Sequence, residues 1–125
     1  MSNIKRIHSN LYLASNPEAT ADFYRALGFD VNFESGTVRI KLNDFTLAFM
    51  DEKQAEIDNE TGVVPKGAGI YTYVETADVD RHYEAVKANG VVPSSEPKDW
   101  SWGKREFAVK DPDGYKIIFY TPVKS

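Results

Sequence analysis

The chain repeats itself, and the repeat limits what it can fold into. A strand-like run ending at Ala14 leads into a helical run closed by Gly28, then into further strand-like runs. The same order returns later, with residues 70–75, a helical run, Gly90 and more strand-like sequence. Gly28-Phe29 answers Gly90-Val91, a spacing of 62 residues. That period is too long for a solenoid repeat and fits a duplicated βαβββ module. Two such modules side by side can curl their sheets into one open, half-closed barrel around a cavity. The expectation is an α+β fold with an open, cupped, mixed β-sheet. Residues 1–125 form a single domain, with module 1 over about 4–51, a connector over 52–69 and module 2 over about 70–122.

Local signals place the elements. Residues 4–14 predict a first strand, with Leu11 and Leu13 on one face. Asn16 serves as N-cap, Pro17 opens the helix and Glu18 lies in its first turn. Phe23, Ala26 and Leu27 recur at helical spacing, and Gly28 follows at the position that ends many helices. Strands over 30–34, 37–42 and 45–50 are separated by Ser35-Gly36 and Asn43-Asp44, both turn chemistry. In the second module Ala77-Asp78-Val79-Asp80 opens a helix with Val79, Tyr83 and Val86 on one face and Asn89-Gly90 at its end. After it come Val91-Val92-Pro93, a polar stretch over 94–99 and a hairpin. The hairpin pairs residues 105–110 with 115–120 through Asp111-Pro112-Asp113-Gly114, where Pro112 presets φ and Gly114 accepts a positive one. The connector, with Asp51 just before it, holds Glu52, Glu56, Asp58 and Glu60 and then Gly62, Pro65, Gly67 and Gly69. It is long for a compact domain. It is either a solvated linker or a mobile rim over a binding cavity.

Composition narrows the chemistry. With no cysteine, disulfides, zinc-thiolate sites and cysteine nucleophiles are excluded. A formal charge of −4 argues mildly against nucleic acid and allows a cationic small molecule. No apolar run approaches the ~18 residues of a membrane span. The first residues lack the apolar core of a secretory signal, and the expected location is cytoplasmic.

The segments DFYRALGFDV, DVDRHYEAVKANGV and REFAVKDPDGYKIIFY, in this order and with the duplication, resemble the vicinal oxygen chelate superfamily. It includes glyoxalase I, extradiol dioxygenases, fosfomycin-resistance enzymes and bleomycin-resistance proteins. The resemblance implies paired βαβββ modules of the glyoxalase/bleomycin-resistance type. In the enzymes it also implies a divalent metal held by His, Gln or Glu on four strands. Those four positions fall here on Ser9, on Ala48 (with Phe49 as the neighbouring choice), on Tyr71 and on Ile118. A hydroxyl, a methyl, a neutral phenol and a butyl group do not hold a divalent ion. The expectation is therefore no metal and no cofactor. His8 lies one residue from Ser9, and a one-residue slip would turn it to the other sheet face.

WGKREFAVKDPDG is most similar to the metal-free bleomycin-resistance branch, whose members are homodimers that sequester a cationic, flat-ringed antibiotic. On that resemblance the chain is a binding protein. It would hold a planar or aromatic ligand, a cation among the admissible forms, in a homodimer, with no nucleic acid and no membrane as partner. Strand parity lines the expected cavity with Ser9, Leu11, Tyr71, Tyr73, Ile118 and Tyr120, with Trp100 and Trp102 before the hairpin. Such a lining suits a small molecule, and its rings attract cations. Trp102 is either core or rim, and Trp100 is the more exposed. Arg105 pairs with a nearby carboxylate. His82 sits on the second helix beside its buried stripe. Glu75 is the one candidate for acid–base chemistry, and otherwise a strand-end carboxylate in solvent. Two other readings stay open. One is a glyoxalase-like lyase or isomerase, or a dioxygenase-type enzyme, with atypical or lost ligands. The other is an interaction module with a filled core.

Overall fold

The computed structural model describes residues 3, 5–53, 66–67 and 69–123. They form two compact units. One holds β1 (Ser9–Ala14), most of α1 (Pro17–Ala26), β2 (Asn32–Glu34), β3 (Thr37–Leu42) and β4 (Phe45–Asp51). The other holds Ala26–Gly28, β5 (Tyr71–Glu75), α2 (Val79–Ala88), β6 (Lys98–Asp99), β7 (Lys104–Lys110) and β8 (Lys116–Pro122). Each unit is a βαβββ module with one four-stranded mixed sheet. The orders are β1-β4-β3-β2 and β5-β8-β7-β6. In both, the first strand runs parallel to the fourth, and the other pairs are antiparallel. The helices keep the repeat to the residue: α2 starts at 79 against 17 and ends at 88 against 26, 62 residues on at both ends.

In the first unit α1 starts where Asn16 caps it, its Oδ1 accepting the Ala19 N–H at 3.2 Å. The buried stripe is Thr20, Ala21 and Tyr24, not the expected Phe23 and Ala26, which are half-buried. Tyr24 carries the packing. Its ring lies 4.9 Å from Phe49, which stacks on Tyr12 at 5.0 Å. Phe49, Leu47, Val38 and Ile40 fill the helix side of the sheet. The first strand begins at Ser9, later than residue 4, because its one partner among the described residues is β4. Beyond the bond from Thr46 N–H to the His8 carbonyl only Phe45 of β4 remains, and it pairs with Leu42 of β3.

In the second unit Asp78 caps α2, accepting the Arg81 N–H at 3.1 Å. Thr121 of β8 accepts the Val79 N–H at 2.9 Å, which ties the helix start to the sheet. Beneath the helix, Phe107 and Phe119 stack at 5.4 Å, with Val109 and Ile117 beside them in the core. The polar stretch over 94–99 holds a strand the sequence did not reveal. Lys98 and Asp99 pair with Glu106 and Arg105, and Ser94 N–H bonds the Ala108 carbonyl. Tertiary pairing to β7 makes this strand; its own residues carry no apolar alternation.

The β7–β8 turn is as expected. Asp111 Oδ1 accepts the N–H groups of Asp113 and Tyr115 at 2.8 and 2.9 Å, and Gly114 sits at φ +91°. Gly67 approaches this turn. A Cβ there would fall 2.2 Å from the Gly114 carbonyl oxygen, and Gly67 itself is at φ +84°. At Gly67 the connector thus packs on the hairpin. Its residues 54–65 and 68 lie outside the described residues, so the choice between linker and rim falls there.

Candidate functional site

Each sheet has a helix-covered side and an open side. Directly paired residues share a side, so the register assigns every strand residue. On the first sheet Ser9, Leu11 and Leu13 pair with Thr46, Ala48 and Met50. Thr37, Arg39 and Lys41 join the same open side. Ala48, not Phe49, is therefore the open-side residue of β4, and Ser9, not His8, opens β1. His8 is exposed and precedes the strand. A depression of about 470 Å³ on this unit is lined by Asp30, Val31, Asn32, Arg39, Lys41 and Thr46, none of them an expected site residue.

On the second sheet the open side is aromatic. Tyr71, Tyr73 and Glu75 pair with Lys116, Ile118 and Tyr120. Glu106 and Ala108 pair with Tyr120 and Ile118, and Lys98 with Glu106. Trp100 and Trp102 stand at the β6–β7 turn, ring centroids 4.7 Å apart and planes at 10°. Tyr71 is 60% exposed and Trp102 52%, so Trp102 belongs to the rim and not the core. Trp100, at 37%, is the less exposed of the two and not the more exposed as expected, because its ring is covered by Trp102 and Lys98. Tyr73 and Tyr120 meet edge-on at 5.9 Å. Ile118 is only 5% exposed and forms the floor of this face; a guest would meet the rings around it before it. Six of the eight expected ligand-lining residues thus share one open face of one unit. Ser9 and Leu11 lie on the open face of the other.

The carboxylates on this face are few and engaged. The Tyr120 hydroxyl donates to Glu75 Oε1 at 3.2 Å. Glu75 stays exposed, on the same face as Tyr71 and Tyr73. The carboxylate that sequence reasoning missed is Glu106. It is 7% exposed, and Trp102 Nε1–H donates to its Oε2 at 3.4 Å. Burial, then the neighbouring Glu106 carboxylate, hold the Tyr73 phenol above its ordinary pKa. Burial and the bond to Glu75 do the same for Tyr120. Both phenols are therefore neutral near pH 7. The signal for Glu106 was available: in the hairpin register it lies two residues from Ala108, the partner of Ile118.

Arg105 faces the helix side. Its guanidinium donates to Asp80 at 2.9 and 3.0 Å and to Asp99 at 3.0 Å. Those bonds hold Asp80 below the usual carboxylate range. Arg105 is thus paired within the protein, as expected. His82 is half-buried on the Phe119 ring at 4.5 Å, and its Nε2 has no hydrogen-bond partner among the described residues.

The metal positions fail a test of chemistry. Ala48 and Ile118 have no donor atom, Ser9 offers a hydroxyl and Tyr71 a phenol. Among the described residues no three His, Asp or Glu side chains come together as ligands would. These residues do not fit a divalent metal centre of the kind the fold's enzymes use. Among the described residues no helix is long and apolar enough to cross a membrane.

Comparison with known proteins places these features. A sequence profile of the Glyoxalase/Bleomycin resistance protein/Dioxygenase superfamily matches residues 6–119. Bleomycin resistance proteins of Geobacillus stearothermophilus and Staphylococcus aureus are 38% identical over 53 residues, 42% of this chain and 40% of theirs. The chain thus matches well under half the length of these curated relatives. Among solved structures, a glyoxalase/bleomycin resistance protein/dioxygenase from Nocardioides superposes with a TM-score of 0.81 at 20% identity, covering 100% of this chain and 88% of that one. A lactoylglutathione lyase from Agrobacterium tumefaciens superposes with a TM-score of 0.72 at 19% identity, covering 96% of each. At these identities the structures share the fold.

Proposed function

The chain belongs to the Glyoxalase/Bleomycin resistance protein/Dioxygenase superfamily, and from that premise we propose that it is a metal-independent binding protein that captures a planar aromatic small molecule. The observation that carries this reading is the open face of β5-β8-β7-β6. Five aromatic rings stand there around Ile118, and Tyr71 and Ile118 occupy two of the positions where a metal enzyme of this fold would need ligands. Rings exposed to water gain by covering one another or a flat guest, and they cannot polarise one. Capture is stoichiometric, with no bond broken. The relatives named for bleomycin resistance support a sequestering role, while the 53-residue match leaves the antibiotic itself unassigned. The reading rests on ring chemistry and not on the ligand's charge.

The proposal includes a homodimer. Its support is family likeness together with apolar side chains left exposed, Leu11 and Tyr71 among them. Light scattering across a hundredfold range of concentration is expected to give twice the 14.1 kDa chain mass. For capture, zinc or nickel is expected to leave the melting temperature unchanged, while a planar aromatic ligand raises it by linkage and quenches Trp100 and Trp102. A stoichiometric metal that stabilises the protein would refute the reading.

A further inference from the structure

The aromatic face of the second sheet carries its own cations. Lys98 Nζ lies 4.2 Å from the Trp100 ring centroid and Lys116 Nζ 4.9 Å from Tyr71. Lys104 Nζ lies 5.2 Å from Tyr120 and 5.9 Å from Tyr73. On Trp100, Tyr71, Tyr73 and Tyr120 the places where a guest ammonium would gain are therefore taken. The register adds Lys110, opposite Lys116, to the same side. Four lysines stand against two carboxylates, Glu75 and Glu106, so the face is net positive on a chain whose formal charge is −4.

Both carboxylates are already used, one by the Tyr120 hydroxyl and the other by the Trp102 indole. Among the described residues, Lys98, Lys104 and Lys116 touch rings and form no ion pair. The charge left without a partner on this face is the ammonium. The stacked pair leaves one ring surface for a guest. With centroids 4.7 Å apart, Trp100 and Trp102 have no room for an ammonium between them, so Lys98 lies on the outer side of Trp100. Trp102 is 52% exposed and has no lysine over its ring among the described residues, and Glu106 fixes its indole in place.

We propose that the ligand of this face is a small planar aromatic carboxylate, its ring stacked on Trp102 and its negative group met by Lys104 and its neighbouring lysines. This rests on the capture reading above and names the chemistry of the guest.

The test uses the full chain and three probes of one shape: 1-naphthoate, the neutral 1-naphthylmethanol and 1-naphthylmethylammonium. The chain has two tryptophans, so its two indole N–H resonances report on the stack directly. Naphthoate is expected to shift the Trp102 resonance and to bind about tenfold more tightly than the ammonium, as two surface charges at ~5 Å allow. That preference should shrink with added salt. Lys104→Met should weaken naphthoate several-fold and leave the neutral alcohol nearly unchanged, which a merely structural loss would not do. If the ammonium binds as tightly as naphthoate, the charge assignment is overturned while capture of flat rings stands. If none of the three shifts an indole, capture at this face falls with it. If the resonances move with protein concentration alone, a second copy of the chain covers the face, and the small-molecule occupant is wrong.

Discussion

The two repeats agree on one side of their sheets and part on the other. On the helix-covered side, Phe49 of the first and Phe119 of the second take the same place in register, each opposite the middle antiparallel strand at Val38 and Phe107. All four are essentially fully buried. On the open side, Leu11, Ala48 and Arg39 of the first repeat stand where the second has Tyr73, Ile118 and Ala108. Thr37 stands where the second has Glu106. Packing against a helix constrains shape, so duplicated cores stay alike. The open side meets no such demand, and chemistry can differ there without cost to the fold. The aromatic character belongs to the second copy alone.

The strongest challenge to this comparison is to empty the two cores. Phe49→Ala and Phe119→Ala should each cost about 3–5 kcal/mol in urea unfolding, the usual loss for a buried phenylalanine. Tyr71→Ala, on the open side, should cost far less. If Tyr71→Ala costs as much as Phe119→Ala, the open face is a core and the contrast between sides fails. Next in size is Gly67→Ala. It places a methyl against the Gly114 carbonyl in a left-handed backbone and should cost about 1–3 kcal/mol. An unchanged urea midpoint would mean that the approach of Gly67 to the turn is not held in solution.

A smaller effect separates the repeats by pH. His82 sits 62 residues after Thr20, at the same helix position. Burial holds the His82 imidazole below its ordinary pKa, opposed in part by its hydrogen bond to the Leu27 backbone. The unfolded chain therefore takes up a proton before the folded one as pH falls. The stability this neutral imidazole allows is whole above pH ~6.5. It drains away as the pH drops through the depressed folded value, at no more than ~1.4 kcal/mol per pH unit for one proton. His82→Thr, which installs the first repeat's residue, should flatten the fall in melting temperature between pH 7 and pH 5. An unaltered slope would place the acid sensitivity elsewhere. The smallest change expected is Asp80→Asn. It removes a solvent-exposed partner of Arg105, which keeps Asp99, and should cost under ~1 kcal/mol.

Most of the architecture was legible because it is written in local chemistry. Asn16 and Asp78 cap their helices, Asp111 through Gly114 form their turn, and both glycine-closed helices fall on the predicted spacing. What escaped was set by partners distant in sequence. Lys98 and Asp99 are a strand only because β7 lies beside them. The α1 stripe was misread because Phe23 looks more like core than Thr20, yet Thr20 is buried with its hydroxyl bonded to the Asn16 carbonyl at 3.2 Å. At the candidate site, parity identified the rings. Parity places Glu106 on that face as well, yet it gave no warning that a glutamate between Arg105 and Phe107 would be buried. It also gave no warning that the lysines between the aromatic positions fold back over them.

The approach of Gly67 to Gly114 has a consequence for how the chain can change over time. The methyl that alanine would bring at Gly67 has nowhere to go while the Gly114 carbonyl stays put, and Gly114 is itself held in a conformation that other residues adopt poorly. Neither position can drift first and wait for the other to compensate. The two form a seam where descendants of this sequence cannot add side-chain bulk, even as the ring-bearing surface stays free to be rewritten.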